Sequence, residues 1–231
     1  MIEIDAGGEV CAWSRHGTNL TDRVGDLCEA FSQAPRASTF DGELVAVGER
    51  DGQPAQDFEC VQQAVLHHRP AAAARLSFVG FDVLQLDGID VRAQTWKERD
   101  RLLASALPNS GRVHAIGSQA ATLAAHQDIV ALGFEGTVLK RPSSPYRAGR
   151  QTAWLKHKAR CLVEADGVAA VRDRDGAWHL KCEVDGRRVT ALAGRDCRHL
   201  VGGPVTLAYS RVDAGGGLRE LRVLSRQPTS A

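Results

Sequence analysis

The sequence predicts an α+β protein of two domains, and three observations support this. Over residues 1–158, segments with alternating apolar residues, typical of antiparallel strands, are interspersed with segments of helical periodicity. Over residues 159–231, five short strands follow one another between Asp-Gly and Gly-rich turns. A single short helical segment interrupts this series between the third strand and the fourth. That order is typical of a small β-barrel of the OB type.

The first domain is predicted to open with a hairpin, whose first strand is Ile2–Ile4 and whose turn is a Gly-Gly pair. Helices are predicted to begin at the capping residues Asp57, Thr95 and Ser118. Thr95 also has Glu98 at the capping-box position. The other predicted segments are a helical stretch at 25–33, strands at 38–47, 76–86, 112–116, 136–140 and 153–158, and helix ends near 68, 106 and 132.

The second domain is predicted from period-2 alternation and turn residues. Its turns are Asp-Gly pairs at 175–176 and 185–186 and a glycine cluster at 215–217. The predicted strands are 162–171, 178–184, 187–193, 205–210 and 218–225, with the helical segment at 195–200.

Composition excludes several classes of protein. Lys and Arg total 29 against 28 Asp and Glu, so no overall field attracts nucleic acid. No apolar run reaches the roughly 18 residues of a membrane span, and the first residues do not resemble a secretory signal. The six cysteines lack CxxC spacing, which indicates reduced thiols rather than a zinc site. P-loop, Rossmann and nucleophile-elbow motifs are missing from the sequence.

Asp41 and Glu43 lie two residues apart in a predicted strand, so their side chains share one face of the sheet. Two carboxylates this close repel each other unless a cation or a donor-rich ligand lies between them. The pair therefore fits a metal site or a site for ribose hydroxyls. The alternative is a solvated strand face beside a turn-forming Asp-Gly pair.

Glu135 is the only acid between residues 133 and 160, a stretch that carries seven basic residues. Its carboxylate could bind a divalent cation or form an ion pair with one of these bases, and the residue types alone favour the ion pair. The loop within this stretch is stiffened by two prolines, contains one tyrosine and fits a phosphate or nucleic-acid surface. Its basic side chains are those of Arg141, Arg147 and Arg150.

Lys156 and Lys158 are predicted to share one strand face with Trp154. Two ammonium groups on one face repel each other unless an anion lies between them, and a phosphate chain suits that geometry. The alternative is an edge strand that its lysines protect from pairing with another chain.

Five motifs in a fixed order carry a family resemblance. They are SRHG at 14–17, FDGELVAV at 40–47, FVGFDVLQLDG at 78–88, GFEGTVLKRPSSPYRAGR at 133–150 and WLKHK at 154–158. This series resembles ATP-dependent DNA ligases of the covalent nucleotidyltransferase superfamily. The resemblance implies a nucleotidyltransferase domain of ATP-grasp-like antiparallel sheets and helices at 1–158, followed by an OB-fold domain at 159–231.

The resemblance also implies a role for each matching residue. Glu43 would bind the ribose hydroxyls of the nucleotide, and Phe81 would stack on adenine. A divalent cation, Mg²⁺ or Mn²⁺, would be held by Glu135 with support from Asp41. Arg15 would contact the adenylate or the phosphate at the nick. Lys156 and Lys158 would bind the α-phosphate. The DNA would be contacted by Arg141, Arg147 and Arg150.

The implied activity is ATP-dependent joining of a 5′-phosphate to a 3′-hydroxyl in nicked duplex DNA, through an AMP intermediate, in repair or recombination. We expect a monomer in the bacterial cytoplasm that could act with a separate repair protein.

In the family, a KxDG motif before the opening hairpin supplies the lysine that attacks the α-phosphorus of ATP. The first lysine of this sequence is Lys97, so we expect that the sequence is truncated before that motif. Two alternatives follow: a catalytically impaired protein that binds nicks, or one that seals only nicks that are already adenylated. An RNA ligase or a capping-type relative is a further, weaker alternative.

Overall fold

The computed structural model packs the chain into two compact units. The first consists of Met1–Ala121 and Val138–Leu155, and the second of Thr122–Thr137 and the residues from Lys156 onward. Within the part of the chain that is described, no helix is long and apolar enough to cross a membrane. The structure describes residues 1–50, 53–107, 109, 111–132, 134–149, 151–212 and 216–224.

A sheet of six strands, antiparallel except for one pair, is the centre of the first unit. The strands up to residue 158 are β1 (Ile2–Ile4), β2 (Val10–Ala12), β3 (Ser38–Val45), β4 (Val47–Arg50), β5 (Gln53–Gln56), β6 (Ser77–Leu86), β7 (Ile89–Asp90), β8 (Val113–Ala115), β9 (Gly136–Lys140) and β10 (Trp154–Lys158). The order in the sheet is β2-β1-β3-β6-β7, and β8 runs parallel to β6. Two separate pairs are β4 with β5 and β9 with β10.

Two of the three α-helices described in the first unit begin at a residue whose side chain caps them. They are α1 (Phe58–Val65), α2 (Pro70–Ala73) and α3 (Trp96–Ala106), with 3-10 segments at Thr21–Arg23 and Gly25–Phe31. Asp57 accepts a hydrogen bond from the Cys60 amide, and Thr95 forms the predicted capping box with Glu98. The prediction that the first helix continues to 68 is wrong, because Arg69 is held extended before Pro70 and the helix stops short of it.

An ion pair lies in the interior of the first unit, beside its apolar core. The Arg99 guanidinium, on α3, donates to both carboxylate oxygens of Asp82, on β6, at 2.7 and 3.0 Å, and both side chains are fully buried. Its remaining nitrogen donates to the carbonyl oxygens of Gln94 and Ser144, at 2.6 and 3.2 Å. One side chain therefore ties together the sheet, the helix and the loop that follows β9.

The second unit is built on a closed barrel, which confirms the predicted OB-type domain. Its elements are α4 (Leu123–Ala131), β11 (Cys161–Arg172), β12 (Trp178–Val184), β13 (Arg187–Ala193), a 3-10 segment (Arg198–Leu200), β14 (Pro204–Tyr209), β15 (Arg211–Val212), β16 (Leu218–Arg219) and β17 (Arg222–Val223). The barrel closes in the order β11-β12-β13-β17-β14. Asp185 and Gly186 both have positive φ, as a tight hairpin turn between β12 and β13 requires.

Two further predicted elements differ from those observed. Ser118 does not cap a helix; its hydroxyl donates to Asp100 at 2.6 Å, and α4 begins after Thr122, whose hydroxyl accepts from the Ala125 amide. The last predicted strand is split into β16 and β17, because Glu220 adopts a left-handed φ of 55° that interrupts extended backbone. Its predicted end, Ser225, lies outside the described residues.

We predict that Arg99→Met lowers the free energy of unfolding by about 3–5 kcal/mol, because it leaves the Asp82 carboxylate buried without a counter-charge. Chemical denaturation of the wild type and the variant measures this difference. Arg92→Met is the matched control, since Arg92 pairs with Asp90 on the surface. An equal, small effect of both substitutions would contradict the prediction.

Candidate active site

Asp41 and Glu43 occupy the middle of β3, in the first unit, but their surroundings differ. The Asp41 carboxylate is half-buried and accepts a hydrogen bond from the Tyr146 hydroxyl at 2.7 Å. Glu43 is exposed and makes no hydrogen bond or ion pair with the described residues. Burial, followed by the hydrogen bond to Asp41, raises the pKa of Tyr146, so its hydroxyl remains a donor at neutral pH.

Phe81 lies at a bulge in β6. Asp41 of β3 pairs with Asp82, whereas the next residue, Gly42, pairs with Gly80, so Phe81 has no partner in the ladder. The ring of Phe81 meets the ring of Trp154 edge to face, with centroids 6.1 Å apart. The bulge therefore places the Phe81 ring against Trp154, whose ring also contacts Tyr146, the donor to Asp41.

Lys140 ends β9 inside a group of aromatic rings, which we call the aromatic cage and which consists of Phe81, Trp96 and Trp154. The ammonium nitrogen is 5.2, 5.7 and 4.0 Å from the three ring centroids, in that order. It also donates a hydrogen bond to the carbonyl oxygen of Phe81 at 2.6 Å. The cage thus holds a cation through ring faces and through the backbone of the bulge.

Burial lowers the pKa of Lys140 from 10.5 to about 8. The carboxylates of Asp82, Asp100 and Asp41 oppose this shift, and the guanidinium of Arg99 adds to it. Placing this ammonium group away from water costs free energy, and the surrounding carboxylates and ring faces offset part of that cost.

Two indole nitrogens in this region have no hydrogen-bond partner among the described atoms. They are the Nε1 atoms of Trp96 and Trp154, both buried. Trp154 also contacts the ring of Tyr146 edge to face, with centroids 5.9 Å apart. A ligand with acceptor atoms could satisfy donors placed in this way.

Glu135 and Lys158 belong to the second unit, where they are neighbours. Their charged atoms are 3.9 Å apart, and the Lys158 ammonium donates to both carboxylate oxygens of Glu220 at 2.7 and 2.9 Å. Gly136 has no side chain at this point, where a Cβ would clash with the His157 carbonyl oxygen. Glu135 lies within ion-pair distance of Lys158, and its role as a metal ligand stays a prediction.

The other predicted site residues that the structure describes are exposed. Lys156 makes no ion pair with a described residue, and Arg15 contacts only the neighbouring His16, at 3.0 Å. Arg141 and Arg147 are exposed on the loop after β9. The predicted DNA contact Arg150 lies outside the described residues.

The sequence patterns did not single out Lys140, Trp96 or Tyr146 as site residues. Tyr146 is 105 residues from Asp41 in sequence, and no local pattern connects them. In the sequence, Lys140 is one of the seven basic residues between 133 and 160, and no local pattern separates it from the others.

We predict that the difference in unfolding free energy between the wild type and Lys140→Met depends on pH. Between pH 8 and 10.5 the unfolded chain keeps the Lys140 proton that the folded chain has lost, so wild-type stability rises with pH relative to the variant, by at most ~1.4 kcal/mol per pH unit. Denaturation curves at several pH values measure it, and the subtraction cancels titrations common to both proteins. Parallel pH profiles would contradict a lowered pKa.

Comparison with known proteins identifies the family to which this sequence is similar. Residues 2–158 match the family described as ATP dependent DNA ligase domain. A probable DNA ligase of Anaeromyxobacter sp. (strain Fw109-5) is 36% identical over 172 residues, which cover 71% of this chain and 33% of the relative. A probable DNA ligase of Sorangium cellulosum (strain So ce56) is 35% identical over 173 residues, covering 71% and 32%. The match thus spans about a third of the length of these relatives.

Solved structures show the same fold. A structure from a study of DNA binding by Lig E DNA ligases covers 94% of this chain and 85% of its own, with a TM-score of 0.65 and 20% identity. The ligase domain of LigD from M. tuberculosis covers 99% and 85%, with a TM-score of 0.57 and 22% identity. With the family match over residues 2–158, these findings show that the chain belongs to the ATP-dependent DNA ligase family.

Proposed function

We propose that this protein takes part in the ATP-dependent joining of a 5′-phosphate to a 3′-hydroxyl at nicks in duplex DNA. Membership of the ligase family is the observation that carries the proposal. The arrangement of Asp41, Phe81, Tyr146 and Trp154 supports it, because a carboxylate, ring faces and unsatisfied indole donors suit a nucleoside.

In this proposal the nucleoside is bound by groups of the first unit. Phe81 stacks on adenine, and Glu43, which is exposed and unpaired among the described residues, accepts hydrogen bonds from the ribose hydroxyls. Tyr146 keeps Asp41 in place through its hydrogen bond. Arg15 contacts the adenylate or the phosphate at the nick.

The phosphates are bound by groups of the second unit. Lys156 has an exposed ammonium, and Lys158 binds the α-phosphate once its ion pair with Glu220 opens. Glu135 is proposed as the residue of the second unit that would hold Mg²⁺ or Mn²⁺. Mg²⁺ in proteins usually takes one or two carboxylates and completes its shell with water and phosphate oxygens.

Sealing of an adenylated nick needs no lysine nucleophile. The 3′-hydroxyl oxygen attacks the phosphorus of the adenylated 5′-phosphate, the new phosphodiester bond forms, AMP leaves with the electrons of the broken bond, and the hydroxyl proton passes to solvent. Lys156 and Lys158 would stabilise the charge that develops on the phosphate oxygens. Arg141, Arg147 and Arg150 would contact the DNA backbone.

The alternative is a protein that binds nicks without adenylating itself, or that seals only adenylated ones. In either form we propose a monomer of the bacterial cytoplasm that serves repair or recombination, with or without a separate repair protein.

We predict that this chain seals a pre-adenylated nick in the presence of Mg²⁺, and that Lys156→Ala lowers the sealing rate about 100-fold, as loss of one group that stabilises the transition state does. Gel analysis of end-labelled nicked DNA measures the rate. Lys181→Ala, an exposed lysine on β12, is the matched control and keeps the wild-type rate. Absence of sealing by the wild type would contradict the proposed activity.

Incubation with ATP and Mg²⁺, followed by intact mass spectrometry, separates the two forms of the proposal. An AMP adduct on a lysine identifies a self-adenylating ligase. No adduct, together with sealing of the pre-adenylated nick, identifies a protein that acts only after adenylation.

A further inference from the structure

Lys140 is a half-buried cation whose role the proposed chemistry leaves open. It reaches neither Asp82 nor Asp41 within ion-pair distance among the described pairs, and Arg99 already satisfies Asp82. Its one hydrogen bond is to the Phe81 carbonyl oxygen, and its other contacts are the three ring faces of the aromatic cage. Its contacts therefore centre on the bulge of β6.

A bulge residue has a carbonyl and an amide that the sheet does not pair in the regular way. At Phe81 the Lys140 ammonium supplies a donor for this carbonyl at 2.6 Å. Removal of that donor would break a part-buried hydrogen bond, and such a loss is costly. The hydrogen bond thus holds the bulge in the conformation that presents the Phe81 ring.

The same ammonium orients the rings around it. A cation attracts aromatic faces, so Trp154, at 4.0 Å, and Trp96, at 5.7 Å, are drawn toward one point together with Phe81. Because Trp154 also meets Phe81 edge to face, fixing one ring restricts the other. An exposed lysine could not do this, since water would take the place of the rings.

We infer that Lys140 is a positioning residue for the nucleobase, which holds the Phe81 ring in place to stack on adenine. This inference rests on the proposed role of Phe81. It assigns Lys140 no contact with the phosphates and no part in the chemical step. Lys140 acts on base binding alone, through the bulge and the aromatic cage.

The test compares ligands with and without a base. Titration calorimetry gives the affinities for AMP and for tripolyphosphate of the wild type, Lys140→Met, Phe81→Leu and the double variant, after thermal unfolding has shown that each is folded. Lys97→Met is the matched control, because Lys97 is an exposed lysine next to Trp96. It should bind both ligands as the wild type does.

We predict that Lys140→Met binds AMP about 10-fold more weakly, the scale of a lost base–aromatic stack. Its affinity for tripolyphosphate stays unchanged. The double variant binds AMP no more weakly than Phe81→Leu, since both changes remove the same stack. Wild-type AMP affinity in Lys140→Met, or an equal loss for both ligands, overturns the inference.

Two further outcomes keep this test separate from that of the proposed function. If Phe81→Leu binds AMP like the wild type, the proposed role of Phe81 fails, and the inference about Lys140 fails with it. If Lys140→Met does not fold, NMR of the ¹⁵N-lysine-labelled wild type replaces it. AMP should then shift the Lys140 ammonium resonance, and tripolyphosphate should not. A Lys140 resonance that does not shift when AMP is added overturns the inference.

Discussion

The fully buried ion pair between Asp82 and Arg99 is the constraint on which the first unit depends. Two buried charges are stable only when they form an ion pair with each other and the remaining donors form hydrogen bonds. Arg99 meets that condition by donating also to the carbonyls of Gln94 and Ser144, at 2.6 and 3.2 Å. The elements that carry Phe81, Trp96 and Tyr146 are in this way held by one guanidinium.

The charged side chains of the first unit differ in what stabilises their charge. Arg99 forms an ion pair with a carboxylate, whereas Lys140 contacts ring faces and one carbonyl oxygen. Ring faces and a carbonyl offset less of the desolvation cost of a charge than a carboxylate does. Glu43, in contrast, is exposed to solvent. A side chain proposed to receive a substrate can remain exposed, whereas the charges inside the unit are held by protein groups.

Much of the architecture could be predicted because local signals decide it. The capping box at Thr95 and the Asp-Gly turn at Asp185 act within a few residues, and both are observed. Ser118 failed as a cap because Asp100, distant in sequence, takes its hydroxyl. Alternation identified the strand at Phe81 but not the bulge there, since a bulge reflects pairing with another strand. The partnership of Tyr146 with Asp41 is likewise a tertiary contact, and the roles of the predicted site residues stay proposals.

The bulge in β6 has a consequence for how the sheet is built. Gly80 and Asp82 already face consecutive residues of β3, so at this step the two strands would pair in register without Phe81. In terms of pairing the residue is supernumerary. The backbone accommodates the extra residue by giving up regular hydrogen bonding at this point. The result is one additional side chain on β6, the ring of Phe81.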